Sequence, residues 1–289
     1  MNQKLRRYGF VIPGIIVLLL ITIFPLIYSL IISFYRWQLT FIGARTFLGL
    51  SNYADILFKN ERFWGSLYKT FSIAAPAVAL EFIIGLGLAL LLNTEMRGKR
   101  VITALLVLPI MIPPITTGLI WRMLYHEKYG AINGVLRIIG FNAQISWLGD
   151  PRVATLSVIL TDVWQWTPFI MMILLAGLQS ISVELYESAE VDGASAFQTF
   201  KHITLPLLVF PIMVAVLLRV IDLVKLFDII FVLTRGGPGG TTETISIYTY
   251  LVGFRYFRVG YGAALSYLLL VIIVIFSMTL IRLIRGKKT

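Results

Sequence analysis

Cysteine is missing from this sequence, and histidine nearly so: the 289 residues hold only His126 and His202. Without Cys there are no disulfides, no Cys-ligated metal sites and no Cys nucleophiles. The two His residues lie far apart and share no metal-ligand spacing, so no metal site is expected. Charge is scarce as well. Only 13% of the residues are Asp, Glu, Lys or Arg, and 58% are apolar, whereas soluble domains run at about 25% charged. A surface this poor in charge cannot mostly face water, and the long uncharged runs leave no room for a soluble domain of ordinary size. Acidic residues are the scarcer sign, 14 against 25 basic, for a net charge of +11. In so apolar a chain the basic excess fixes topology and meets anionic headgroups, so membrane lipid is an expected partner and nucleic acid is not. A nucleotide loop is lacking too. Gly236-Gly237-Pro238-Gly239-Gly240 does not have the G-x-x-x-x-G-K-[ST] spacing and reads as a turn.

What is present is hydrophobic length. About 20 apolar residues cross a hydrocarbon core as a helix, and six segments qualify, at about 10–34, 70–93, 101–121, 153–178, 205–233 and 259–281. Backbone groups in lipid must bond within the chain, and period-2 alternation is absent, which selects helices over a β-barrel. The expected fold is an all-α membrane protein with six transmembrane helices, in a single domain covering 1–289. Lys4, Arg6 and Arg7 precede the first apolar run, as in a signal peptide. The run from Tyr8 to Tyr35 is uncharged over 28 residues, far beyond an h-region, so it reads as a retained first helix. Pro109, Pro113 and Pro114 make the third span the one expected to bend or break.

Orientation follows from basic density rather than from raw counts. With the N-terminus inside, the inner segments carry 11 Lys and Arg in 40 residues, and the outer ones carry 12 in 89. Both termini and the 95–100 loop are compact, basic and next to a span, where the positive-inside rule acts. Both termini are therefore expected in the cytoplasm, with the chain in the inner membrane.

That topology puts the 182–204 connection, between the fourth and fifth spans, on the cytoplasmic side. Glu184, Glu187, Glu190 and Asp192 crowd into it although the chain is strongly basic. Ser182 suits the N-cap of a first short helix, and Asp192-Gly193 supplies a stop and a tight turn. The three Glu residues recur every third position and so neighbour one another. Past the turn, Phe197, Phe200 and Ile203 form the apolar stripe of a second short helix, and Leu205-Pro206 leads into the fifth span. The bland alternative is a solvated amphipathic helix on the membrane surface, though such helices favour Lys and Arg over Glu.

Glu187-Ser188-Ala189-Glu190-Val191-Asp192-Gly193-Ala194, followed by Ile203, Leu205 and Pro206, resembles the cytoplasmic EAA loop of ABC-importer permeases. That family's pattern reads E-A-A-x-x-D-G-A and then I-x-L-P; Ser188 departs from it as one small residue for another. Leu108-Pro109-Ile110-Met111-Ile112-Pro113-Pro114, Phe227-Asp228, Leu233-Thr234-Arg235-Gly236-Gly237-Pro238 and Gly260-Tyr261-Gly262 extend the resemblance over nearly the whole chain. They are similar to permeases for maltose-like sugars, trehalose or glycerol 3-phosphate. The resemblance implies a type I ABC-importer permease fold and no enzymatic chemistry in this chain. It implies that Glu187, Ala189, Asp192, Gly193, Ala194, Leu205 and Pro206 couple the spans to an ATPase. It also implies a second permease chain (expected as a heterodimer), two ATPase subunits that bind the ATP, and an external solute-binding protein. Transport would then proceed by alternating access.

Charges within a span are costly and mark functional candidates. The fifth span holds Arg219, Asp222, Lys225 and Asp228, alternating in sign every three residues. Either these pair along or between helices, or Asp222, Lys225 and Asp228 line a solute path. The fourth span offers Asp162, Trp164, Gln165 and Trp166. A carboxylate and an amide beside aromatic rings suit sugar recognition, while an interfacial aromatic belt explains the Trp residues equally well. Glu81 is a weaker candidate, as readily a buried partner for a neighbouring helix. Two rival classes stand beside this reading. An ion-coupled secondary transporter accounts for spans and charges but needs no ATPase-docking loop. A membrane-embedded enzyme needs a constellation of His, Cys or paired carboxylates that the sequence does not display.

Overall fold

The computed structural model describes residues 3–40, 45–141 and 144–285. Lys287 and Lys288, which entered the charge bias, lie outside the described residues. Helix α1 (Gln3–Ser33) is followed by a two-residue antiparallel pair, β1 (Tyr35–Arg36) and β2 (Thr46–Phe47), with Tyr35 opposite Phe47. Then come α2 (Ser51–Lys59), α3 (Glu61–Asn93), α4 (Lys99–Met111), α5 (Pro114–Leu124), α6 (Ala131–Ile138) and α7 (Pro151–Gln179). Next are α8 (Val183–Val191), α9 (Ala196–Thr199), a π-turn at Phe200–Thr204 and α10 (Leu205–Val224). Last are α11 (Asp228–Leu233), α12 (Ile245–Tyr250), a second π-turn at Leu251–Arg255 and α13 (Val259–Arg285). Among the described residues, five helices are long and apolar enough to cross a membrane, or six when the bent pair α4–α5 counts as one span.

Three stretches depart from the expected layout. The third span is not one helix: the chain turns by 98° between α4 and α5. Ile112 is extended (φ −83, ψ 129), the conformation favoured before a proline, and Pro114 takes the first position of α5, where its missing N–H costs nothing. The fifth span does not run to 233. It stops at Val224 and the chain restarts as α11. The carbonyls freed there are taken up by side chains, Ser246 Oγ donating to Val224 O at 3.4 Å and Thr244 Oγ1 to Leu226 O at 3.3 Å. At its other end the same span starts early. Residues 196–224 form one continuous 29-residue span, so the second short helix expected in the connection is the beginning of the fifth span. Pro206 would press on the His202 carbonyl in a regular α-helix. The helix widens at this point, with the Leu205 N–H bonding Phe200 O, five residues back.

The chain divides into two compact units. In the unit of residues 65–247 with 273–289, Ala89 and Leu92 of α3, Ile170 and Leu174 of α7, and Leu208 and Ala215 of α10 form a buried core. Lipid tails are as apolar as Leu, so close packing rather than escape from water must hold such helices together. Gly177 shows how close: a Cβ there would come within 2.7 Å of Pro211 Cγ and 2.9 Å of Leu208 Cδ2. The unit of residues 1–64 with 248–272 is laced by backbone bonds, Leu48 N–H to Phe34 O at 2.8 Å, Leu39 N–H to Phe257 O at 3.0 Å and Gly260 N–H to Trp37 O at 3.2 Å. Asn52 fastens the end of α1 by donating to both Ser33 O and Tyr35 O. Along most of its length α1 has little cover from the chain itself, and Ile21 is 70% exposed.

Candidate functional site

The connection between α7 and α10 is fixed by its own backbone. Ser182 stands at the N-cap of α8 with extended backbone, although its hydroxyl forms no cap bond. At the other end, Gly193 N–H bonds Glu190 O at 3.0 Å and Ala194 N–H bonds Ala189 O at 2.9 Å, the double bond of a Schellman stop. Gly193 takes the left-handed conformation this stop requires, φ +72. Two residues on, Ser195 and Gln198 form a reciprocal capping box that starts α9. Tyr186 Oη and Thr204 Oγ1, 3.2 Å apart, tie α8 to the base of α10.

Around this frame the expected coupling residues divide by exposure. Glu187, Asp192, Gly193 and Pro206 are exposed, Ala194 and Leu205 are half-buried, and Ala189 is buried. Glu184 and Glu190 are exposed beside them. Val183, Leu185, Val191 and Phe197 are exposed too, Val191 by 87%. The surface thus presents large apolar side chains among carboxylates, and among the described residues none of these carboxylates is in an ion pair.

The intramembrane charges fall out differently from the expected ladder. Arg219 does not pair along its own helix. Its Nε and Nη2 donate to the two oxygens of Glu81 on α3 at 2.7 and 2.8 Å, and Nη2 also donates to Asp162 Oδ2 on α7 at 2.7 Å. Trp166 lies against the same guanidinium, 4.7 Å from ring centre to Cζ. All three charged side chains are 0–1% exposed. Asp162, expected on a solute path, is therefore sealed inside the protein as a partner of Arg219. Gln165, expected beside it, is also buried. Its Nε2 donates at 2.8 Å to Ile112 O, the carbonyl left free where the third span breaks. Asp162 and Gln165 are thus both buried, each bonded to a neighbouring segment.

Trp164, from the same stretch, points elsewhere. It is 38% exposed and sits edge-on to Trp121, 5.6 Å between ring centres, with Tyr125 and Trp147 continuing the row at 5.2 and 5.5 Å. Asp222 and Lys225 are both about half exposed and lie 3.5 Å apart, and Asp228 opens α11 with its side chain exposed. The sequence offered Glu81 only as a weak candidate and left Arg219 open to partners along or between helices. One signal was available: Glu81 and Asp162 are each the lone charge of an otherwise apolar span, and a lone charge in lipid needs a partner. The depth and rotation of those helices, which select the partner, are not written in residue spacing.

The family model of the binding-protein-dependent transport system inner membrane component matches residues 81–287. The chain is 41% identical over 281 residues to the trehalose/maltose transport system permease protein MalF of Thermococcus litoralis, covering 97% of this chain and 93% of that protein. It is 35% identical to the sulfoquinovosyl glycerol transport system permease protein SmoG of Agrobacterium fabrum, covering 99% and 92%. Among solved structures, a bacterial ABC transporter involved in the import of the acidic polysaccharide alginate superposes with a TM-score of 0.85 at 24% identity, covering 99% of this chain and 97% of that one. This last likeness speaks for the fold. Neither an ion-coupled transporter nor a membrane-embedded enzyme fits these matches. With six apolar segments and the match over most of its length, the chain belongs to the binding-protein-dependent transport system inner membrane components, as a multi-pass permease subunit of an ABC importer with the type I fold and not an enzyme.

Proposed function

We propose that this chain is the permease of an ATP-driven sugar importer, moving a sugar or a related polyol or sugar phosphate. It works beside a second, different permease chain, two ATPase subunits that bind the ATP, and an external solute-binding protein. The relatives' names support the solute class: trehalose/maltose, trehalose and sulfoquinovosyl glycerol. A second solved neighbour, an alginate transporter, was crystallised in complex with a periplasmic protein bound to alginate pentasaccharide, which supports the external partner. Both termini lie in the cytoplasm, as does the α8–α10 connection.

One observation carries the reading: α8 is a short helix with exposed acidic and apolar side chains, joined through a fixed stop to a 29-residue helix that reaches the membrane core. An ATPase that grips Glu187, Asp192 and their apolar neighbours holds a lever. Movement passes through Leu205 and Pro206 into α10, and Arg219 hands it to α3 and α7. Repeated at two permeases, such movement alternates the access of a central cavity. Trp164, Asp222, Lys225 and Asp228 are the exposed groups assigned here to the solute path, with the Trp ring stacking on sugar C–H faces and the charges bonding hydroxyls. Energy comes entirely from the ATPase partners.

A single introduced thiol tests this, because the chain has no cysteine of its own to remove. Val191→Cys should react with a membrane-impermeant maleimide in inside-out vesicles only, and the reaction should slow when the ATPase subunits are bound. Labelling from outside intact cells would overturn the assignment.

A further inference from the structure

Where α1 ends and α13 begins, the unit of residues 1–64 with 248–272 forms an open cavity of about 770 Å³ that the transport reading leaves unused. Its walls are pinned in place. Leu39 N–H bonds Phe257 O and Gly260 N–H bonds Trp37 O, which sets the 37–39 segment beside the start of α13. Tyr261 Oη accepts from Asn60 Nδ2 at 2.8 Å and donates to Asp55 Oδ2 at 3.3 Å, which fixes that ring. The Arg258 guanidinium lies over the Tyr261 ring, 4.2 Å from its centre, and Arg45 covers Trp37 at 3.7 Å. Arg36 and Arg258 both line the cavity, and among the described residues neither guanidinium has a hydrogen-bond or ion-pair partner.

A guanidinium stacked on a ring keeps its in-plane N–H donors free, and those donors match the oxygens of a phosphate or carboxylate two at a time. Arg258, stacked in this way, and the exposed Arg36 face one cavity beside the end of the apolar helix α1, and together they form a clamp for an oxyanion. Asp55, Gln38 and Ser51 on the same wall offer acceptors and donors to hydroxyls next to that oxyanion. We propose that this cavity binds a phosphate group carrying hydroxyls nearby, held between Arg36 and Arg258. The chemistry is shared by a phosphatidylglycerol headgroup and by soluble inorganic or sugar phosphate. It is independent of the solute path and of the coupling loop.

The two sources separate in one experiment on the full chain in phosphate-free detergent. Inorganic phosphate is titrated calorimetrically at constant ionic strength, and phosphatidylglycerol retention is followed by native mass spectrometry. Saturable phosphate binding, weakened about tenfold or more in Arg258→Gln and Arg36→Gln, supports the site with a soluble ligand. Retention of phosphatidylglycerol without phosphate binding, lost in the same variants, supports it with a lipid ligand. Both side chains are exposed, so the variants should elute and melt like the parent, and Arg258→Lys should recover part of the binding. Absence of both ligands, or equal binding by the parent and the Arg36→Gln/Arg258→Gln double variant, would overturn the proposal.

Discussion

Two acidic groupings in this molecule are built from the same residue types and treated in opposite ways. Glu81 and Asp162 lie 0% exposed, both held by one arginine inside the chain. Glu184, Glu187, Glu190 and Asp192 stand exposed, and no described residue answers them. The buried set costs desolvation and recovers it only while all three side chains are together. The exposed set costs almost nothing and does nothing for the fold, since isolated surface charges contribute little. The difference teaches where each belongs. The inner carboxylates join three spans into one body, and the outer ones are left available for something that is not this chain.

The largest effect should come from splitting the inner set. Arg219→Met leaves two carboxylates buried without a cation, a change that costs about 3–5 kcal/mol for a broken buried pair. The folded, monodisperse yield of the variant should collapse. Removing the charges together, in Glu81→Gln/Asp162→Asn/Arg219→Met, should recover most of it, since neutral replacement of a whole buried cluster is often tolerated. Normal yield and melting temperature for Arg219→Met alone would mean that the triad does not hold the spans, and the contrast with the loop would dissolve.

Much of this contrast was legible before any coordinates. The apolar segments, the lone charges within them and the acidic loop with its Gly stop are all sequence features with a physical reason. The stop at Gly193 follows from the need for positive φ after α8, and the break at Ile112 follows from what Pro113 does to the residue before it. What stayed hidden was set by packing. Arg219 has Asp222 three residues away, close enough to pair on a helix surface, yet it turns to Glu81 and Asp162 because helix rotation faces it inward. Asp162 and Gln165 looked like solute ligands because a polar residue in a span reads the same whether it faces a cavity or a neighbouring helix. The end of α10 at Val224 has no Gly or Pro to announce it. Its freed carbonyls are answered by Ser246 and Thr244 from a later segment.

The middle-sized effect belongs to the loop and sharpens the contrast from the other side. At Gly193 a Cβ would meet nothing within 4 Å, so Ala there is strained only by its φ of +72. Left-handed backbone costs a non-Gly residue about 1–2 kcal/mol. Gly193→Ala should insert normally and melt only a few degrees below the parent, while its uptake falls severalfold at retained ATP hydrolysis by the assembled transporter. Gly193→Asn should fall between, because Asn accepts this conformation more readily. Equal uptake in all three would remove the stop from the coupling path.

The smallest effect is the most diagnostic. Tyr186 Oη and Thr204 Oγ1 are the one described side-chain hydrogen bond between α8 and the base of α10. A bond of this kind is worth about 0.5–1.5 kcal/mol. Tyr186→Phe should therefore leave melting almost unmoved, whether the bond is a strut or an accident of packing. The two differ in the ratio of solute moved to ATP hydrolysed. A strut that carries movement from α8 to α10 loses efficiency when cut, so that ratio should drop by about twofold while hydrolysis persists, the size of a fraction of one such bond. Thr204→Val should give the same drop, and the double variant no more than either single, because both remove one shared contact. Additive losses would show two separate roles and leave the lever without this connection.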